Sequence, residues 1–205
     1  MTIRCLAPRP DPGETGPTRA ASLSGSRLPM YPFLRLGLEL ARNRGAPPLT
    51  LDGVHVSHHR IWPWDLDPWV ELNNGRTLTL YDLGRVPMAR RNGFIPTLRR
   101  EGWRFTVAGS TVRYRRRVQV LERVEMRSRI IGRDARFFYM HQAMYRGGEA
   151  TSSVLIRSAV IDAAGIVATD RVMSAMDLPD WRPALPAWVR GWIEAEAIRP
   201  WPPEI

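Results

Sequence analysis

WDLDPWVELNNGRTLTLYDLGR, residues 64–85, sets a carboxylate in a proline-marked loop directly ahead of a capped helix. Pro68 disfavours helical backbone at the residue before it, so Asp67 is expected in extended or turn conformation, outside the helix that follows. Asn73 or Asn74 supplies the N-cap, and Leu78, Tyr81, Leu83 and Met88 recur behind it at roughly helical spacing. Gly84 leaves room for close approach to a sheet, Pro87 tightens the last turn, and Gly93 after Arg90 and Arg91 marks the stop. The first-turn amides of such a helix have no intrahelical partner and suit an oxygen that is gaining negative charge. Asp67 lies seven positions before Asn74, a spacing that lets a base or nucleophile meet the atom those amides polarise.

Working outward, the pattern changes from helical to twofold. Trp103 to Val120 alternates apolar and polar residues on both sides of Gly109, which reads as one long strand with a bulge or bend at the glycine. Arg123–Ile131, Phe137–Tyr145 and Ser153–Ile161 are further strand candidates, with Gly132-Arg133-Asp134 and Gly147-Gly148 as the turns between them. Val54 to Trp62 adds a strand before the helix. The fold class expected is α+β, a curved antiparallel sheet wrapped around one central helix, because a single helix covers only one face of such a sheet. Unpaired sheet edges then favour a homodimer or homotetramer.

The chain of 205 residues, 44% of them apolar, is long enough to bury a real core. The expected organisation is a disordered tail over 1–29, a short amphipathic helix and linker over 30–48, the main domain over 50–182, and a C-terminal helix and tail over 183–205. Met30 is a second candidate start. The segment Tyr31 to Arg44 carries Phe33, Leu34, Leu36, Leu38 and Leu40 between arginines; it either packs on the domain or makes a peripheral membrane contact. Trp188 and Trp192, four apart, read as packing residues of the last helix. No stretch approaches the roughly 20 apolar residues of a transmembrane helix.

All 30 basic residues are arginine, and the formal net charge is +10. Guanidinium groups hold phosphate through paired hydrogen bonds, so the charge fits a nucleotide-bearing substrate as well as a solvated surface or a nucleic acid. No helix-turn-helix, zinc-finger or RNA-binding aromatic pattern accompanies it, and nucleic acid is not an expected partner. The lone Cys5 excludes a disulfide framework and fits a reducing, cytoplasmic setting. His58 and His59 point to opposite faces of their strand and cannot chelate one ion from the same side, so neither a metal nor a cofactor is expected.

The order of strand, DLDPWVELNN, helix, then long strands carrying VRYRRRVQVLERVEMRSRIIG resembles the hotdog fold of the 4-hydroxybenzoyl-CoA thioesterase-like acyl-CoA thioesterases, over about residues 50–175. In that family a D-x-D element precedes a Gly-His-x-Asn-Asn-x-x-Tyr segment that opens the central helix. By this resemblance Asp65 and Asp67 match the D-x-D element, with Asp67 at the catalytic position, and Asn73 and Asn74 match the asparagine pair. Val70 stands at the glycine, Glu71 at the histidine and Thr77 at the tyrosine.

The resemblance implies an acyl-CoA or other acyl thioester as substrate. A thiolate with a pKa near or somewhat above about 8.5 leaves without a strong general acid. Carbonyl polarisation by amides near Asn74 and an oxygen nucleophile would then suffice, with Asp67 either attacking directly or deprotonating water. Glu71 is a second candidate catalytic carboxylate that raises the basicity of Asp67 by repulsion. Asn73, Thr77, Arg113 and Arg115 are the candidate substrate-binding residues, the arginines as phosphate contacts or a solvated strand end. The alternative function is a non-catalytic hotdog module that binds an acyl chain or thioester.

Overall fold

The computed structural model describes residues 31–200 together with 202 and 203; the tail expected over 1–29 lies outside the described residues. The elements run α1 (Phe33–Arg42), β1 (His55–Arg60), α2 (Asn74–Arg91), α3 (Phe94–Arg100), β2 (Arg104–Tyr114), β3 (Arg123–Arg133), β4 (Phe138–Arg146), β5 (Glu149–Asp162), β6 (Gly165–Ile166), α4 (Thr169–Ala175) and α5 (Ala187–Ile198). The sheet has the order β1-β3-β4-β5-β2, with β6 hairpinned onto β5, and every pairing is antiparallel. This is the curved sheet around a central helix expected from the sequence.

Helix α2 lies in the hollow of the sheet. Leu80, Tyr81, Leu83 and Met88 are fully buried, as are Met126, Ile130, Met140 and Met144 of the facing strands. Gly84 sits where the helix comes closest: a Cβ there would stand 2.6 Å from Ser128 Oγ and 2.7 Å from Met126 Sδ. Asn73 is the N-cap, its side-chain oxygen accepting the Arg76 N–H at 3.0 Å. Substituting such a cap by alanine costs about 1 kcal/mol. Pro87 falls inside the last turns of α2, and Gly93, with φ of 81°, ends the run. The chain then turns at once into α3, whose Phe94, Thr97 and Leu98 pack inward.

Two expectations about the strands need correction. The strand expected over Trp103–Val120 ends at Tyr114, which pairs with Ser152, three residues short of the end of β5 at Glu149. The N–H groups of Arg115 and Arg116 both donate to Thr151 O, and the chain leaves the sheet to cross toward β3. Gly132 is not in a turn. It is a register shift within β3, and the turn is made by Asp134, whose carboxylate accepts the N–H groups of Arg136 and Phe137 at 2.7 Å each. The irregularity foreseen at Gly109 is present as a register shift between Val107 and Gly109.

From Tyr31 onward the chain is one compact unit. Part of the outer face of the sheet is covered by α5, where Val189 and Trp192 pack with Ile131, Tyr139 and Leu155 in a second, smaller core. Among the described residues no helix is long and apolar enough to cross a membrane.

Candidate active site

The loop from Trp62 to Asn73 is built around two acids with different tasks. Asp65 is fully buried and lies between two arginines, with Arg35 Nη1 of α1 and Arg76 Nε of α2 each 2.7 Å from its carboxylate. The same carboxylate accepts the N–H of Trp62 at 3.0 Å. One side chain therefore ties the loop to both helices and orients the start of α2.

Asp67 opens a tight reversal. Its N–H donates to Glu71 O at 2.9 Å, its carbonyl accepts from Val70 N at 3.0 Å, and Leu66 bridges Leu72 across the base. The Asp67 carboxylate accepts the Trp69 N–H at 2.9 Å and the Glu71 N–H at 3.4 Å, so it is the brace of its own turn. Val70 holds a φ of 63° at the tip, a left-handed conformation that favours glycine and strains a β-branched residue. This is the position at which the resembled family carries glycine. Leu72 N–H donates to Val118 O at 2.8 Å, which fastens the reversal to the segment after β2.

The far side of this reversal opens onto a cavity of about 190 Å³ at the N-terminus of α2. Glu71, Asn74, Thr77 and Arg115 line it together, with Tyr114, Arg117 and Ser152 completing the polar wall. Of the expected site residues, Asp67 is not on this wall, and neither is Arg113. The latter precedes Tyr114 on the strand and so projects from the opposite face. Asn73 acts through the backbone: its carbonyl receives both the N–H of Thr77 at 2.8 Å and the Thr77 hydroxyl at 3.0 Å. Helix geometry leaves the amides of Asn74 and Gly75 outside the intrahelical ladder, and Asn74 lines the cavity.

Glu71 contributes the carboxylate of the wall, and Arg117 Nε is 2.9 Å from its Oε2. The glutamate side chain is 27% exposed and the arginine 81%, while Oε2 itself is shielded from water and has no hydrogen-bond partner among the described residues. The Tyr114 hydroxyl donates to Asn74 O at 3.0 Å, and burial raises its pKa. Below it the Tyr81 and Ser152 hydroxyls lie 2.9 Å apart; burial pushes the Tyr81 phenol up, so it stays neutral. Tyr114, Arg117 and Ser152 were not among the expected site residues. Tyr114 carried a usable signal in its alternation with Val112, whereas Ser152 is brought in only by the β2–β5 register. His59 is buried and His58 exposed, on alternate faces as expected. Among the described residues no cluster of His, Cys, Asp or Glu could hold a metal ion.

A sheet of this order around a helix whose N-terminus faces a polar cavity defines a hotdog protein of thioesterase type. Residues 61–202 match the family model of the thioesterase-like superfamily, and the chain belongs to that family. It is similar to Protein THEM6 of Xenopus laevis, 31% identical over 118 residues, a match covering 57% of each chain; the chain thus spans little more than half the length of that relative. Among solved structures it is similar to the probable thioesterase YbaW from Escherichia coli, with a TM-score of 0.56 and 16% identity over 60% of this chain and 97% of that one. A second similar fold is the DHNA-CoA thioesterase from Staphylococcus aureus, with a TM-score of 0.52 and 14% identity over 71% of this chain and 92% of that one.

Proposed function

We propose that this protein hydrolyses an acyl thioester, with acyl-CoA as the substrate class, in the cavity at the start of α2. The observation that carries the proposal is that Glu71 and the free end of α2 at Asn74 line one cavity. The thioester carbonyl oxygen lies against the amides of Asn74 and Gly75, which stabilise the charge that develops as the carbonyl is attacked. Losing one such donor commonly costs about 3–4 kcal/mol in the transition state. Glu71 takes a proton from water, the hydroxide oxygen bonds to the carbonyl carbon, the carbon–sulfur bond breaks, and the thiolate leaves unassisted. Arg115 and Arg117, which line the same cavity, would hold the phosphates of the carrier.

The role foreseen for Asp67 passes in this reading to Glu71, because the Asp67 carboxylate is occupied in bracing its turn. The superfamily to which the chain belongs and the named activity of the similar staphylococcal fold support the reaction class. The edge strand β2 ends beside the cavity at Tyr114, so a second copy paired along that edge would wall it, and we propose a dimer of this kind. The test is thiol release across a panel of acyl-CoA chain lengths. Release from at least one member supports the proposal.

A second reading is favoured by the ion pair of Glu71 with Arg117, which neutralises the one carboxylate on the wall. It makes the protein a binder of acyl thioesters without turnover. Saturable binding with no thiol release from any member of the panel would establish that reading and reject hydrolysis.

A further inference from the structure

Helix α1 buries two of its charged residues. Arg35 reaches Asp65 and donates to Arg60 O, and Glu39 is 6% exposed beside His59 and pairs with the exposed Arg42, while Leu36 packs against the core. Three large apolar residues face outward, with Phe33 62%, Leu34 86% and Leu38 56% exposed. Gly37 and Ala41 are exposed beside them, and at 3.6 residues per turn these five positions fill an arc of about 140° without a charge. A helix that buries an arginine and a glutamate and leaves this uncharged arc exposed has a face for something apolar to cover.

The border of that face tells what covers it. Between α1 and β1 lies a groove of about 690 Å³, lined in part by Leu38, Val56 and Trp62. Trp62 stacks on Trp64, ring centroids 5.4 Å apart, and Trp64 is 63% exposed. Arg60 and Arg123 line the same groove and are directly opposed across the β1–β3 pair. Among the described residues neither guanidinium has an ion-pair partner. Like charges directly opposite each other in a sheet destabilise it, and an anion between them removes the cost.

We infer that the outward face of α1, bordered by Trp62, Trp64, Arg60 and Arg123, docks this protein on an anionic lipid surface. Leucine and phenylalanine enter the acyl boundary, tryptophan rings occupy the headgroup level, and the arginines select acidic headgroups. A soluble anion would satisfy the arginines and leave Phe33 and Leu34 in water. A second copy seated symmetrically on this face would bring two sets of Arg42, Arg60 and Arg123 together, and repulsion opposes that arrangement. The inference is independent of the hydrolase reading.

Flotation of the full chain with phosphatidylcholine vesicles, with and without phosphatidylserine, tests it. The protein floats with the acidic vesicles and is released by salt. Leu34→Glu with Leu38→Glu lowers binding by more than about tenfold, and because both leucines are exposed the far-UV dichroism stays unchanged. Arg60→Gln with Arg123→Gln lowers binding by about fivefold per arginine and flattens the salt dependence. Absence of flotation at low salt, or equal flotation of the leucine variant, overturns the proposal. Self-association lost in the leucine variant, without vesicle binding, assigns the face to a second copy instead. Stabilisation by inorganic phosphate without vesicle binding assigns the groove to a soluble anion.

Discussion

Asp65 and Glu71 stand at the two ends of one short loop and meet opposite surroundings. Asp65 has no exposure and two short ion pairs, one to each flanking helix. Glu71 keeps 27% of its side chain open and has one pair, to an arginine that is itself mostly in water. A carboxylate buried between two cations serves as a joint. A carboxylate with a single partner on the wall of a cavity is left within reach of a bound molecule. The loop therefore puts a rigid joint at one end and a half-open carboxylate at the other.

The comparison breaks most visibly at Asp65. Asp65→Ala leaves Arg35 and Arg76 facing each other and orphans the Trp62 N–H, and urea unfolding is expected to show a loss of about 3–5 kcal/mol. Two buried histidines of β1 give the stability a pH dependence. Burial lowers His59 to about 3 and His55 to about 4, with nearby arginines adding to both shifts. The folded state thus refuses protons that the unfolded chain accepts below about 6.5. Stability is full above that pH and is lost as pH falls toward 4, by up to about 1.4 kcal/mol per pH unit for each histidine. Urea midpoints at neutral and mildly acidic pH would show the slope, and His59→Gln would flatten it.

Smaller effects sharpen the picture around the reversal. Val70→Gly relieves the left-handed strain and is expected to raise stability by about 1 kcal/mol in thermal unfolding. Asn73→Ala removes the cap and is expected to cost about the same. Glu71→Gln gives up only one ion pair, to a mostly exposed arginine, and the free energy of unfolding should change by less than about 1 kcal/mol.

What could be read from the chain was whatever local rules decide. Asn73 as cap, Gly84 at the closest approach, the irregularity at Gly109 and the two-glycine turn at Gly147-Gly148 follow from conformational preference alone. The placement of Asp67 in the turn and Glu71 on the cavity wall does not. It depends on Leu72 pairing with Val118, which is distant in sequence and turns one acid into the turn and the other onto the wall. The end of β2 was hidden for the same reason, since it is set where the N–H groups of Arg115 and Arg116 both turn to Thr151 O of β5. Helix α1 defeats pattern reading in another way: its period is right, but no periodicity says which side faces the core, and the buried partners Asp65 and His59 reverse the usual choice.

The most direct measurement is thiol release from a saturating acyl-CoA by Glu71→Gln set beside Asp67→Asn. An asparagine oxygen still accepts the Trp69 N–H, so the turn survives the second change. Glu71→Gln should release thiol about 10²–10⁴-fold more slowly than the unmodified protein, while Asp67→Asn keeps most of the rate. The opposite order, with Asp67→Asn inactive and Glu71→Gln near full rate, would contradict the assignment of the chemistry to Glu71.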